Sequence, residues 1–437
     1  MRVWIDAAAG RDAPTLFGMS PLERHVRAAL KAGVAAGDIL IDSGDAPPPS
    51  LPEGVGLPPV RIGPSPGDVA ARLAAYLAAG GGPVFAVSGD RVVDPRLFAQ
   101  AAKLDGVVAL GDAAEVPRAL PELWSTLYGA WDPRGEAGDL CLLVTPGTTL
   151  PPATSVAALA GALVAAGAAR APAAGEFDAH LAVQRRDVPF WVRRVDTPAR
   201  RDAVERFMFD ASYKGSTDVF TRYVYPFLVW PMTRLATRWR VHPNTITWVS
   251  IAATFAAVPC FAAGWWVAGF FLAYVMSVLD SVDGKVARVT FTASPLGNVL
   301  DHGLDIVHPP FWYAAWALGL SGLPWALAWE QGAIQRDPLF LWTCALIVLY
   351  VADRHVLAVY KAVHGRGLHA HAAIDRIARG LISRRNVNLP LFLVGLAAGY
   401  GRETFALIVV WQGLTVVWHV LRTIWILARR ERPQGTV

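Results

Sequence analysis

The chain has 437 residues, of which 54% are hydrophobic and 17% charged, and its mean hydropathy of +0.36 argues against a purely soluble globular enzyme. So many apolar residues exclude a disordered chain, and glycine and proline without a regular period exclude collagen-like and low-complexity structures. Residues 1–200 hold 18 Lys and Arg against 21 Asp and Glu, a net charge of −3, whereas residues 201–437 hold 22 against 14, a net charge of +8. The sequence therefore predicts two unlike parts.

The first part alternates short apolar runs with amphipathic stretches, a pattern typical of an α/β layer fold with a largely parallel sheet. Asp6 and Arg11 interrupt the only apolar stretch near the amino terminus, so we expect no cleavable signal and a cytoplasmic location for this part. The runs predicted as strands are residues 3–5, 38–41, 84–87, 107–110 and 140–144.

Two helices of the first part have clear signals. Ser20 is a capping residue, Pro21 stands at the first helical position and Glu23 at the third, which predicts a helix that extends to about residue 36. The alanine-rich stretch 156–169 is apolar but has only 14 residues, fewer than the roughly 20 that a membrane span needs. We therefore predict a soluble helix there.

Residues 18–24 (GMSPLER) and 84–90 (VFAVSGD) resemble the sugar-phosphate nucleotidyltransferase family. The resemblance implies a Rossmann-like α/β domain in which Asp90 binds magnesium if the domain is active. The loop at residues 7–12 departs from the family because it has one glycine, Gly10, and no Lys-Pro step follows, whereas phosphate cradles need several glycines. The favoured interpretation is a domain that kept the fold and lost the transfer chemistry. Alternatives are a domain that makes a CDP-linked donor from CTP, a regulatory nucleotide-binding module, and an ordinary turn or cap role for Asp90.

The second part contains six apolar stretches, which predict six transmembrane helices. The fifth is short, and we expect its helix to begin further upstream. Of the 22 Lys and Arg, only Arg336 and Arg402 lie in loops that six spans place outside, so the positive-inside rule predicts cytoplasmic termini in the cell (inner) membrane. The stretches are residues 245–263, 265–279, 300–320, 339–360, 389–400 and 405–427.

Residues 219–241 mix aromatic and apolar residues with four arginines, a pattern typical of an amphipathic helix in the membrane interface. The alternative is a linker helix packed on the soluble part. Pro226 and Pro231 predict a kink or a break. The predicted organisation is a nucleotidyltransferase-like domain with its linker, a linker with an interfacial helix, and a six-span membrane domain, at residues 1–200, 201–242 and 243–437.

Four aspartates, Asp280, Asp283, Asp301 and Asp305, stand at or near the ends of apolar spans. A carboxylate at the centre of a membrane helix costs about 2.5–3.5 kcal/mol, so something must neutralise them. The spacings of three and four residues place each pair on one face of its helix. Convergent hard oxygen ligands predict one or two divalent cations, Mg²⁺ or Mn²⁺.

The residues around these aspartates suit a phosphate-bearing ligand. Gly284 and Ala287 leave space for a flat group to approach the backbone, while Lys285 and Arg288 supply positive charge for phosphates. An ion-coupled carrier is the competing interpretation, because intramembrane carboxylates often mark ion paths. Clustering of all four acids within 26 residues favours an enzyme.

The pattern D-x-x-D-G-x-x-A-R from Asp280, then eight residues, then G-x-x-x-D-x-x-x-D ending at Asp305, resembles the CDP-alcohol phosphotransferase signature. The Pro-Asn-x-x-Thr step at residues 243–247 adds to it, and the resemblance extends from about residue 214 to the carboxy terminus. It implies a six-helix membrane enzyme, and a homodimer, with a polar cavity that faces the cytoplasm. Such an enzyme transfers a substituted phosphate from CDP-diacylglycerol or a CDP-polyol to an alcohol and releases CMP in phospholipid or phosphodiester synthesis.

Carried onto this sequence, the resemblance implies that Asp280, Asp283 and Asp301 bind two divalent cations, with Asp305 as ligand or general base. Four basic residues are weaker candidates for an anionic acceptor such as inositol phosphate, and their topological role explains the arginines among them equally well; these are Lys214, Arg376, Arg384 and Arg385. A pI of about 9.2 does not indicate nucleic-acid binding, because the excess charge lies in the membrane part. The residues implied for CDP and phosphate binding are Asn244, Asp280, Gly284, Ala287, Arg288 and Gly297.

Overall fold

The computed structural model describes most of the chain, and residues 198–429 are almost entirely helical where it does. We call residues 1–197 the sheet region and residues 198–429 the helical part. The side chains of Asn298, Asp301 and His302 are not described, although their backbone is helical. The described residues are 1–49, 51, 57–58, 60–111, 115–134, 136, 138–172, 176–181, 184–215, 217–322 and 337–429.

Six strands of the sheet region form one sheet with the order β3-β2-β1-β4-β7-β6. Strands β1 to β4 are parallel where they pair, and β7 is antiparallel to both of its neighbours, so the predicted, largely parallel sheet is confirmed. The sheet strands are β1 (Arg2–Asp6), β2 (Ile39–Asp42), β3 (Arg61–Gly63), β4 (Val84–Ser88), β6 (Val108–Leu110) and β7 (Cys141–Val144).

Two smaller antiparallel pairs, β5–β10 and β8–β9, complete the strands of the described residues. All five predicted apolar runs are strands of the main sheet. The sixth, β3, was not predicted because its three residues are short and largely exposed. The smaller pairs consist of β5 (Arg91–Val93), β8 (His180–Leu181), β9 (Arg186–Asp187) and β10 (Val192–Arg194).

Helices cover both faces of the sheet because successive strand residues point to opposite sides. Val3 and Ile5 of β1 belong to one buried cluster with the first helix, whereas Trp4 belongs to a second cluster with two later helices. The alanine-rich stretch forms one of these helices, as predicted, and its apolar face packs on the sheet. The helices of the sheet region are α1 (Pro21–Lys31), α2 (Val69–Ala78), α3 (Arg96–Gln100), α4 (Glu122–Tyr128) and α5 (Val156–Ala165).

The start of α1 follows its sequence signal, since the Ser20 hydroxyl accepts from the Glu23 amide at 3.1 Å and Pro21 begins the helix. The helix ends at Lys31, earlier than predicted, because Gly33 adopts a positive φ of 88° just beyond it.

The helical part has ten helices among its described residues. Four of them, α9, α10, α12 and α15, are long and apolar enough to cross a membrane. The predicted stretches each correspond to one helix of this part, and the fifth begins upstream of its apolar run, as expected. The bounds are α6 (Pro198–Ala211), α7 (Val219–Tyr223), α8 (Tyr225–Arg238), α9 (Pro243–Ala262), α10 (Trp266–Val289), α11 (Pro295–Ser321), α12 (Pro338–His364), α13 (Ala373–Leu381), α14 (Arg385–Ala397) and α15 (Gly401–Arg429).

The other two predicted spans, helices α11 and α14, are not among the helices that are long and apolar enough to cross a membrane. The first carries Asp301 and Asp305 in its opening turns, and the second has only 13 residues and begins with Arg385. Arg336, on which part of the topology prediction depends, lies outside the described residues.

The predicted break before the first span is present, because α7 ends at Tyr223 and α8 begins just before Pro226. Helix α8 buries one face, with Val229 and Trp230, in a cluster that also contains residues of the sheet region. The opposite face exposes a stripe of apolar side chains at helical spacing, namely Val224, Leu228, Met232, Leu235 and Trp239.

Aromatic side chains join the two regions around Trp230 of α8. Its ring lies 5.7 Å from the ring of Trp124, in α4, and 5.1 Å from that of Phe209, in α6. Polar contacts border this cluster: Glu23 binds Arg240 at 3.0 Å, and Glu205 accepts from the Phe17 amide at 2.8 Å. The sheet region is thus packed onto the helical part through buried apolar surface and ion pairs.

A glycine marks the closest backbone approach in this interface. Gly18 has a φ of +73°, and a Cβ there would lie 2.3 Å from the carbonyl oxygen of Thr237 at the end of α8. Only glycine accommodates both the left-handed conformation and this contact.

Candidate active site

The motif residues lie on two consecutive helices of the helical part. The carboxy-terminal turns of α10 carry Asp280, Asp283, Gly284, Ala287 and Arg288, and the first turns of α11 carry Gly297, Asp301 and Asp305. The side chain of Asp301 lies outside the described residues. The other three motif aspartates have distinct surroundings.

Asp283 is buried, with 5% of its surface exposed, and faces helix α9. Thr247 donates its hydroxyl to Asp283 Oδ2 at 2.6 Å, while the same hydroxyl lies 3.1 Å from the carbonyl oxygen of Pro243, one turn earlier in α9. A charge-assisted hydrogen bond of this length holds the carboxylate in one orientation. The threonine of the Pro-Asn-x-x-Thr step therefore fixes the second aspartate of the motif.

Asp280 and Asp305 meet through a single arginine. Arg385, the first residue of α14, donates from Nη2 to Asp280 Oδ2 at 2.8 Å and from Nη1 to Asp305 Oδ1 at 3.0 Å. Its side chain is 12% exposed, compared with 15% for Asp280 and 49% for Asp305. The guanidinium thus neutralises one carboxylate from each motif helix.

These groups border a polar cavity of about 140 Å³, which we call the motif cavity. A smaller cavity of about 70 Å³ adjoins it and shares Asp305, Arg384, Arg385 and Asn386. Of the four acceptor candidates, Lys214, Arg384 and Arg385 line the motif cavity, whereas Arg376 on α13 lines neither. The structure therefore gathers basic side chains from the linker and from α14 beside the motif aspartates.

Arg384 owes its position to Asp218, the residue that caps α7. Arg384 Nη1 lies 3.8 Å from Asp218 Oδ2, and the Asn386 amide donates to the same oxygen at 3.1 Å. Burial raises the pKa of Asp218, but Arg384 and the hydrogen bonds outweigh burial and hold that pKa below its usual value. Asp218 is therefore ionised at neutral pH and anchors the basic wall of the cavity.

Gly297 of the motif packs against Asn244 of the Pro-Asn-x-x-Thr step. An added Cβ at Gly297 would lie 2.9 Å from Asn244 Oδ1, so glycine allows the start of α11 to approach the start of α9. Gly284 is similarly close to Arg288, where an added Cβ would meet Nη2 at 3.2 Å. Both glycines thus leave room for a polar side chain, and Gly284 and Arg288 line the motif cavity.

Among the described side chains, which do not include Asp301, no three acidic, histidine or cysteine residues gather into a metal cluster. The donors that are described nevertheless suit Mg²⁺ or Mn²⁺, because carboxylate and hydroxyl oxygens are hard ligands. The position of Arg385 supports this fit, since a cationic group lies between Asp280 and Asp305.

Arg354 was not predicted as a site residue, yet it lines the smaller cavity from helix α12. Its neighbour Asp353 is fully buried and pairs with both Arg354 and His419, at 2.5 Å in each case. Asn386 was also missed. A sequence signal existed for Arg354, because Asp353 and Arg354 form a charged pair inside an apolar helix, which is costly and commonly functional.

Asp90 in the sheet region is surrounded by partners of its own. It accepts from the Ser88 hydroxyl at 2.5 Å and from Arg91 at 2.7 Å, and Arg194 lies 3.6 Å away. A Cβ at Gly10 would lie 2.2 Å from the backbone of Gly89, so the loop after β1 packs directly on the turn before Asp90.

An acidic motif on two adjoining helices that border a basic cavity, in a part of the chain with four helices long and apolar enough to cross a membrane, indicates a membrane protein with a polar site. Residues 240–425 match the family described as CDP-alcohol phosphatidyltransferase, so this part of the chain is a CDP-alcohol phosphatidyltransferase domain.

Two characterised relatives are similar to this domain. Archaetidylinositol phosphate synthase of Aeropyrum pernix is 27% identical over 175 residues, which cover 39% of this chain and 77% of that protein. Phosphatidylinositol phosphate synthase of Cutibacterium acnes is 30% identical over 129 residues, which cover 29% of this chain and 58% of that protein.

Solved structures of Mycobacterium tuberculosis phosphatidylinositol phosphate synthase also align with the chain. The structure with CDP-DAG bound has 18% identity and a TM-score of 0.36, and the alignment covers 45% of this chain and 94% of that one. The complex with manganese and citrate has 20% identity and a TM-score of 0.35, with 45% and 88% covered.

Proposed function

We propose that this protein is a metal-dependent CDP-alcohol phosphotransferase of the membrane. It moves a substituted phosphate from a CDP-linked donor to the hydroxyl of an alcohol acceptor and releases CMP. The observation that carries the proposal is the meeting of Asp280 and Asp305, from two motif helices, at one cavity with Arg385 between them. The two named relatives make inositol phosphate lipids, so an inositol phosphate is the acceptor that we propose.

Asp305 is the proposed general base. It is the most exposed of the three described motif carboxylates and borders both cavities, so it can reach an acceptor hydroxyl. Arg385 holds one of its oxygens, which fixes its direction. Asp280, Asp283 and Asp301 would hold two divalent cations, whose chemistry is to neutralise the pyrophosphate and the departing CMP.

Basic side chains would orient the two substrates. Arg288 suits the diphosphate of the donor, and Gly284 and Ala287, which leave space for a flat group, suit its cytidine. Asn244 and Gly297 are further proposed residues for CDP or phosphate binding. Lys214 and Arg384 line the motif cavity on the side of the linker and suit the phosphate of the acceptor. Two phosphate-bearing substrates thus face one acidic centre.

We further propose that six helices, α9, α10, α11, α12, α14 and α15, enclose this site in the cell membrane, with cytoplasmic termini and a homodimeric assembly. The exposed apolar face of α8 supports an interfacial position for that helix. The boundaries at residues 200 and 242 are proposed as domain limits.

For the sheet region we propose a nucleotidyltransferase-like fold without transfer activity. Two arginines and a serine engage Asp90, and the loop at residues 7–12 packs against Gly89, which leaves little space for a metal-bound triphosphate. Incubation with CTP, Mg²⁺ and inositol phosphate should yield no CDP-inositol. Formation of that product would contradict this part of the proposal.

The main test is CMP release by the full chain in lipid nanodiscs. CDP-diacylglycerol and CDP-inositol should each be tried with inositol phosphate, glycerol phosphate and inositol. We expect release with an inositol phosphate acceptor, loss of release with EDTA and recovery with Mn²⁺ or Mg²⁺. No release from any pair in either metal would overturn the proposal.

A matched pair of variants separates chemistry from folding. Asp305→Asn should lower the rate by about 100-fold or more, because general bases contribute about that much. Asp337→Asn removes a carboxylate that caps α12 and pairs with Arg402, away from the motif cavity. It should retain the rate. Proteoliposome ion flux that survives Asp305→Asn would instead favour a carrier.

A further inference from the structure

A second cavity lies where the sheet region meets the motif helix. It measures about 460 Å³, and we call it the junction cavity. Its wall is formed by α1, by the start of α3, by the end of α6 and by the segment that follows α10. Ligand sites typically have about 300–1,000 Å³, are mostly apolar and occur at domain interfaces.

The described residues that line this cavity and have buried polar atoms without a hydrogen-bond partner include Gln184 and Arg24 of α1, and Arg24 carries a charge. Its residue is 1% exposed, and its Nε and Nη1 have no hydrogen-bond partner within the described part of the chain. The guanidinium carbon lies 5.0 Å from the ring centroid of Phe291, another residue of the cavity wall. A buried guanidinium with two unbonded nitrogens is costly unless an acceptor reaches it.

Nearby acids do not fill this role, because they are engaged elsewhere. Glu23 binds Arg27 and Arg240, and Glu205 binds Arg234 and the Phe17 amide. Burial lowers the pKa of Arg24, and Glu205 and Glu23 raise it in part. The resulting pKa is about 10, so the group stays charged at neutral pH.

The rest of the wall has two properties. It is largely apolar, with Val188, Trp191 and Met208 among its residues. It is also cationic, since Lys31, Arg96 and Arg288 border it and the single acid, Asp94, is bound by Arg96 at 2.6 Å. The cavity therefore combines an apolar wall with an excess of positive charge.

We propose that the junction cavity binds an amphiphilic anion, whose phosphate or carboxylate group bonds Arg24 and whose hydrocarbon or aromatic body contacts the apolar wall. Such a ligand would contact Arg288, which borders both this cavity and the motif cavity. Occupancy of the junction cavity would therefore affect the motif through Arg288. The site is separate from the one proposed for the donor and the acceptor, because Arg24 lines the junction cavity and not the motif cavity.

The test uses the full chain in phosphatidylcholine nanodiscs with 1-naphthyl phosphate as the probe, followed by isothermal titration calorimetry. Inorganic phosphate and 1-naphthol are the controls that lack one half of the chemistry. We expect the probe to bind at least tenfold more tightly than either control, because charge-assisted bonds and apolar contacts add.

Three variants locate the binding. Arg24→Gln removes the anion partner, and Ala99→Trp fills the cavity from an exposed position in α3. Both should weaken the probe at least tenfold. Lys103→Gln removes a positive charge from the same region without lining the cavity and should leave the affinity unchanged. The proposal would be overturned if Arg24→Gln and Ala99→Trp bound the probe as tightly as the unaltered chain does. It would also be overturned if the unaltered chain did not bind the probe at millimolar concentration.

Nanodiscs that contain phosphatidic acid identify the source of the anion. Displacement of the probe by this lipid, lost in Arg24→Gln, would indicate a lipid headgroup with its chains. Unchanged probe affinity would indicate a water-soluble anion.

Discussion

Each of the two regions of the molecule contains an arginine that binds two aspartates, but the two clusters differ in how far their side chains are exposed. In the sheet region, Arg72 binds Asp6 at 3.0 Å and Asp42 at 3.1 Å at the ends of two neighbouring strands, and all three side chains are at most 5% exposed. In the helical part, Arg385 bridges Asp280 and Asp305, but the second of these is half exposed and borders two cavities. One cluster is sealed and the other is open to a ligand.

This difference indicates which cluster stabilises the fold and which one is available for chemistry. A sealed pair gains little from a ligand, whereas an open carboxylate can exchange its arginine for a substrate or a cation. The comparison can be tested by removing each arginine and each acid in turn.

The largest effect is expected from Arg72→Met, because it removes the cation that pairs with two buried carboxylates. The free energy of unfolding of the sheet region should fall by about 3–5 kcal/mol. Denaturant unfolding followed by tryptophan fluorescence measures this. CMP release by the fraction that remains folded should be unaffected, and a selective loss of transfer would reverse the assignment of the two clusters.

Arg385→Gln should act mainly on transfer. It removes the cation that bridges Asp280 and Asp305, so the rate of CMP release should fall by about 100-fold. Arg402→Gln is the matched control, because Arg402 pairs with Asp337 and is half exposed. If both variants lose the same activity, the bridge has no role in the site.

Asp90→Asn should, like Arg72→Met, lower the stability of the fold and leave the transfer rate nearly unchanged. The loss of a carboxylate that pairs with Arg91 should cost about 1–3 kcal/mol of stability, with the transfer rate within about twofold of the unaltered chain. Thermal unfolding and CMP release are measured side by side. Asp12→Asn, at an exposed position, serves as the comparison. A transfer defect without a change in stability would argue for a catalytic sheet region.

The smallest effect is expected from Thr247→Val, which keeps the side-chain shape and removes the hydroxyl that bonds Asp283. One such bond contributes about 1 kcal/mol, so transfer should fall about fivefold. Thr254→Val is a close control, because that hydroxyl bonds a carbonyl of its own helix. Equal losses in the two variants would place the effect in the packing of α9.

The sequence predicted the elements whose signal is periodic and local. The five apolar runs became strands of one sheet, and each long apolar stretch became a helix. Strand β3 gave no such signal, since Arg61 and Ile62 are exposed. Helix α14 begins upstream of its apolar run because Arg385 and Asn386 belong to its first turn.

The site was predictable only in part for the same reason. Acids within apolar helices are conspicuous, so Asp280 and Asp305 were identified from the sequence. Their bridging partner is 105 and 80 residues away from them, a distance over which no spacing rule operates. Arg385 was one of four weaker candidates for contact with the acceptor; the structure pairs it with the motif aspartates, and its contact with the acceptor stays a prediction.

The packing of Trp230 against Trp124 and Phe209, which also stack on each other, has a consequence for how such a chain can change over evolutionary time. These rings belong to three helices, α4, α6 and α8, on both sides of the junction. A gene rearrangement that exchanged the sheet region for an unrelated module would remove Trp124 and leave Trp230 covered by Phe209 alone among these rings, with more apolar surface of α8 exposed to water. The contact surface of α8 would therefore have to change together with any exchanged module, although only one of the two halves holds the acidic motif.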